Sequence, residues 1–188
     1  MGPWIAVAAL VVVLLWAVVA YNRLITFRNR ADEGWSQIDV QLRRRYDLIP
    51  NLVEVVKGYA SHERETLERV TAARAAAIDA TGVAGQADAE GVVTSGLRQL
   101  LGVVEAYPEL KADRTFLALQ EELTATESKI AYARQYYNDQ VRELNTRIQR
   151  FPSVLIARAA GIEEREFFAI DDPTARGPVD VGLGGPGA

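Results

Sequence analysis

"LRRRYDLIPNLVEVV", residues 42–56, decides how this chain is read. Its apolar residues recur with the spacing of one face of a helix. A proline, Pro50, sits in the middle. In a helix interior proline removes one backbone hydrogen bond and crowds the preceding turn, at about 3 kcal/mol. The spacing predicts that the helix continues through Pro50 with a kink, leaving the carbonyl of Arg45 or Tyr46 without its usual donor.

Outward from this stretch the same period persists. Trp35, Leu42, Ile49, Val56, Val70 and Ala77 fall on a seven-residue grid, with Glu63 its polar member. Ile38, Tyr46, Val53, Ala60 and Leu67 form a second row. Two such rows make a coiled-coil-like seam and predict one long helix over residues 28–80, stopped at Thr81-Gly82. A weaker pattern predicts a helix over 84–107, where Gly91, Gly96 and Gly102 permit close approach of a neighbour. Phe116, Leu123, Ile130, Tyr137, Leu144 and Phe151 recur every seventh residue and predict a helix over 114–150, with Asp113 as its N-cap. The connector before it is expected to be extended, letting that helix start nearer the membrane. Phe151-Pro152 stops it. A short helix follows, with Ser153 as cap and Gly161 as terminator, and a last turn or two carries helix to about residue 168. No convincing alternating run appears. The fold class is all-α: an elongated, coiled-coil-like antiparallel bundle.

Residues 1–21 carry no charged side chain. As a helix they span about 30 Å, the hydrocarbon thickness of a bilayer. Trp4 at one end and Trp16 and Tyr21 at the other suit the two interfaces. No Lys or Arg precedes the run, and it exceeds the apolar core of a signal peptide. Residues 1–24 therefore read as a retained transmembrane anchor, 25–170 as the bundle, and the Gly/Pro-rich 171–188 as a disordered tail. Arg23, Arg28, Arg30, Arg43, Arg44 and Arg45 all follow the apolar run. The positive-inside rule then favours an outside N-terminus and a cytoplasmic bundle.

Composition removes several function classes. There is no cysteine and a single histidine, His62, so thiolate sites and histidine-rich zinc sites are out of reach. The net charge of −4 argues against a general nucleic-acid binder. No nucleophile–base pair or metal set stands out, and no cofactor is expected. His62 is expected to be exposed on a helix.

The polar residues near the seam are the candidate interaction or register residues. Asp47 and Asn51 flank Pro50, four apart on one face. Across the bundle stand Glu127, Arg134, Asn138 and Asn145. Half-buried polar groups need partners, so these read as a layer fixing helix register, ahead of a binding groove at the kink. Arg43, Arg44 and Arg45 lie about 30 Å from Arg23 along a helix, beyond the roughly 8 Å screening length, which favours a protein partner or intramolecular pairing over lipid contact.

The blocks DLIPNLV (47–53), ARQYYN (133–138), FPS (151–153) and REFF (165–168), behind an apolar N-terminus, resemble the LemA family over roughly residues 20–170. The resemblance implies a bacterial helical bundle with a single N-terminal anchor in the cell membrane. The family's usual Pro-Val-aromatic ending is replaced here by a glycine-rich one. The function expected from these readings is a membrane-anchored, non-enzymatic scaffold presenting a helical rod to membrane or membrane-associated proteins, with self-association as a further option. The alternatives are an accessory subunit of a membrane enzyme or protease system and a periplasm-facing binding module.

Overall fold

The computed structural model describes residues 2–170. Among them the elements are all helical: α1 (Gly2–Tyr59), α2 (Arg64–Asp79), α3 (Val83–Val104), α4 (Pro108–Lys111), α5 (Arg114–Gln149) and α6 (Ser153–Ala159). The expected tail, 171–188, lies outside the described residues.

The helix α1 has 58 residues and a length of about 87 Å. It joins anchor and bundle without a break at 24–28 and passes Pro50. It does not reach residue 80. The chain turns at residues 60–63, where Glu63 N–H reaches back to Ala60 O at 3.1 Å, and α2 folds back along α1. His62 is therefore exposed in a turn rather than on a helix. The seam gave no warning of the break because both arms of the hairpin bury the same rows: Val56 and Ala60 on one side, Leu67, Val70 and Ala77 on the other. A second reversal at Gly82, with φ of 77°, returns the chain as α3. Gly96 lets α3 approach α2 closely: a Cβ there would stand 3.4 Å from Val70 Cα.

The connector to α5 is compact rather than extended. Leu110 on α4 is fully buried, and Asp113 caps α5 by accepting from Phe116 N–H at 2.9 Å. Asp113 also accepts from the Tyr59 hydroxyl at 3.1 Å. Thus α5 begins beside the end of α1 that is farthest from the apolar run. It then runs antiparallel to α1: Glu127 meets Arg45, Tyr137 packs on Gly34 and Trp35, and Ile148 shares a small core with Leu24. Phe116, Leu123, Ile130, Tyr137 and Leu144 are all buried, while Phe151 is 81% exposed because α5 has ended.

The bundle has two halves. In the far half α1, α2, α3 and α5 enclose most of the main core, which continues through Ala31, Tyr137 and Phe168 into the other half. In the half next to the apolar run only α1 and α5 continue, joined by α6 and a final extended segment. Residues 162–170 are not helical, contrary to the expected last turns. Ser153 does not cap α6 either; its single hydroxyl proton is shared between Arg147 O at 2.7 Å and Arg150 O at 2.9 Å, closing the end of α5.

Candidate interaction sites

Two polar arrangements hold the two halves. The first is centred on Arg45, which is 0% exposed. Its guanidinium pairs with the equally buried Glu90 of α3 and with Glu127 of α5 at 2.8 Å. The Tyr46 hydroxyl donates to Glu90, and the Gln86 amide donates to Tyr46 Oη and Glu90 Oε1, both at 2.9 Å. Burial pushes the Tyr46 phenol above its ordinary pKa, against the opposing pull of the Arg45 charge and the Gln86 bond. One buried cation, with the buried Glu90 and the part-exposed Glu127, ties α1, α3 and α5 at one height. Removing the cation leaves the Glu90 charge buried and uncompensated.

This layer is not the one expected from the residues flanking the proline. Asp47, Pro50 and Asn51 are exposed, because the buried face of α1 here runs through Arg45, Tyr46, Leu48, Ile49 and Leu52. The arginine triplet divides by face. Arg43 pairs with Asp39 at 3.0 Å on the surface, Arg44 with Glu122 at 2.8 Å, and Arg45 goes inward. The carbonyl left without its helical donor by Pro50 is that of Tyr46, and Arg74 Nε of α2 donates to it at 2.7 Å. The proline thus has an intramolecular use: it exposes an acceptor that pins α2 against α1. Glu90, Gln86 and Arg74 were missed by sequence reasoning. Glu90 did leave a signal, since it occupies an inward position in the row Ala87, Val93, Leu97, Leu100, Val104.

The second arrangement is a clamp on the extended segment. Asn138 Nδ2 donates to Phe168 O at 3.1 Å and its Oδ1 accepts from Phe168 N–H at 2.9 Å. Asn145 does the same for Arg165, at 2.8 and 2.9 Å. The Tyr137 hydroxyl donates to Glu166 O at 2.9 Å. The spacing has a geometric basis. Seven helical residues rise about 10.5 Å, and three residues of extended chain span about 10 Å. Ile162, Arg165 and Phe168 accordingly face inward with a period of three. Phe168 is fully buried and meets the Trp35 ring edge-on at 5.4 Å; Arg165 reaches Asp32 at 2.6 Å. Asn138 therefore serves as a backbone clamp. Arg134 is half-buried on the same helix and joins neither arrangement.

Neither arrangement has the form of a reaction centre. Among the described residues no group of three or more His, Cys, Asp or Glu side chains comes together as a metal site would. A shallow groove between α1 and α5, lined by Ser36, Val40, Ser128 and Tyr132, opens broadly to solvent.

The remaining surface of note is the start of α1. Residues 3–21 are exposed almost throughout, including Trp4, Leu10, Leu14 and Trp16, and the most apolar stretch has a mean hydropathy of 2.6. A helix this long and apolar, with no protein packed on it, supports anchoring in a membrane.

Fold and surface together define a class: a helical bundle carried on the extension of its own membrane-anchoring helix. The chain belongs to the LemA family, whose sequence model matches residues 34–182. It is similar to the magnetosome protein MamQ of Magnetospirillum gryphiswaldense, with 24% identity over 87% of this chain and 70% of that protein. It is also similar to Protein LemA of Metamycoplasma hominis, with 25% identity over 73% of this chain and 63% of that protein.

Proposed function

We propose that this protein is a non-enzymatic scaffold of the LemA type, which holds a helical bundle at a bacterial membrane and presents it to protein partners. The observation that carries the reading is the continuity of α1. One helix is bare and apolar for its first twenty or so residues and then supplies the central wall of the bundle. A tether of that kind fixes the height and tilt of the bundle relative to the bilayer, which suits presentation of a surface. The arginines that follow the apolar run, with none before it, favour a bundle on the cytoplasmic side.

Photo-crosslinkers at Val40 and Tyr132, both exposed on the α1–α5 face, test the scaffold reading in membranes. A recurrent protein captured at these positions, and not at Arg64 in the first turn of α2, is expected. Capture of nothing at any exposed position would end the reading. For topology, protease added to spheroplasts should leave the bundle intact; its digestion would place the bundle outside.

A further inference from the structure

The turn between α5 and α6 exposes two large apolar side chains that the bundle leaves uncovered. Phe151 is 81% exposed and Leu155 57% exposed. Their position along the molecule gives them a use. Ile148, Ala157 and Ile162 form a small core with Leu24 of α1, and Ile25, Phe27 and Ile156 pack around it. Leu24 stands three residues beyond Tyr21, the last residue of the apolar run, or about 5 Å along the helix axis. Because α5 runs toward the apolar end of α1, residue 151 lies beyond Ile148 in that direction. The corner therefore sits level with the end of the apolar run. Exposed arginines surround it: Arg150 and Arg158 on the corner and Arg23 on α1. Arg147 is turned away from this rim, over the Phe27 ring at 4.5 Å. Of the acidic groups nearby, Glu164 is engaged by Gln149 at 3.0 Å, and Glu163 is exposed.

We infer that the α5–α6 corner is a second membrane contact, in which Phe151 and Leu155 enter the headgroup region of the bilayer that α1 spans, and Arg150 and Arg158 bind anionic headgroups. The occupant is a lipid surface. An aromatic ring and a leucine flanked by arginines have the composition of interfacial segments, and the contact is continuous with the spanning helix. The inference rests on the reading of α1 as membrane-spanning and holds for either orientation. Its consequence is mechanical: a bundle gripped at two points cannot rotate about its tether.

The absence of cysteine makes the test direct. Single cysteines replace Val12 in the apolar run, Phe151 and Leu155 at the corner, and Leu117 near the far end, each labelled with a fluorophore on the full chain in phosphatidylcholine vesicles. Lipid-borne quenchers at shallow and deep positions are compared with aqueous iodide. The label at 12 should respond to the deep quencher. Labels at 151 and 155 should respond to the shallow quencher and be shielded from iodide several-fold relative to 117. Adding phosphatidylglycerol should increase that shielding, and the Arg150→Gln, Arg158→Gln pair should remove the increase. Labels at 151 and 155 as open to iodide as 117, with 12 in lipid, would overturn the second contact while leaving the anchor intact. A water-exposed label at 12 would overturn the anchor reading and this inference with it. Equal shielding in both vesicle types would overturn the role of the arginines.

Discussion

At the scale of single residues, the buried charges and the proline make opposite demands. Glu90 has no water to turn to if Arg45 is lost, whereas Arg45 without Glu90 keeps Glu127. Arg45→Ala should lower stability by about 3–5 kcal/mol, measured by chemical denaturation, because Glu90 is left charged in the core. Replacing both, as Arg45→Met with Glu90→Leu, should recover most of the loss. If the single variant is as stable as the parent, the layer is not a sealed ion pair. Pro50 behaves differently, since its cost is offset by the bond that Arg74 gives to Tyr46 O. Arg74→Ala should be more damaging in the parent than in Pro50→Ala, where a restored N–H serves that carbonyl. The coupling in a double-mutant cycle should be about 1 kcal/mol; additive effects would contradict the link. Asp113 adds a pH dependence. The backbone N–H of Phe116, with further help from Tyr59, holds its carboxyl below its ordinary pKa of 3.8. The folded state thus binds this proton less readily than the unfolded one. The contribution is present above 3.8 and is lost as pH falls through the lower folded value. The difference in melting temperature between parent and Asp113→Ala should therefore shrink as the pH is taken down through 3.8 and below.

Among elements, the segment 162–170 is the one whose state depends wholly on another element. It has no internal hydrogen-bond ladder and is held by side chains of α5. Asn138→Ala with Asn145→Ala removes the four clamp bonds, each contributing about 1 kcal/mol net. The amides of Arg165 and Phe168 should then exchange with solvent far faster, while those of α2 and α3 stay protected. Phe168→Ala should release the same segment and lower stability by about 3–5 kcal/mol, as other buried aromatic truncations do. Uniform loosening of all helices would mean that the segment is part of the cooperative core rather than a strap laid on it.

For the whole molecule, the pairing of α1 with α5 is the spine, and it spans both halves. Ile130→Ala and Leu123→Ala, both within the main core, should each cost about 2–5 kcal/mol in thermal melts of the full chain. A loss no larger than that of an exposed change such as Lys129→Ala would mean that the spine is misplaced. Much of this architecture was legible in the sequence. Heptad rows marked the buried faces of α1 and α5, Asp113 and Gly82 marked boundaries, and the uncharged start marked the anchor. These features follow from local rules, since burial periodicity, capping and backbone freedom act within a few residues. The turn at 60–63, the inward course of Arg45, its pairing with Glu90, the use of the Tyr46 carbonyl and the clamping of 162–170 were set by tertiary structure. Each depends on which distant group arrives at a given height of the bundle. A seam that keeps its phase through a hairpin cannot reveal the hairpin. An arginine beside two others cannot reveal which of them will find a carboxylate in the core. The sequence by itself determined an anchored helical chain; packing across α1, α3 and α5 decided which of its polar residues are structural, because there Arg45 and Glu90 meet out of water.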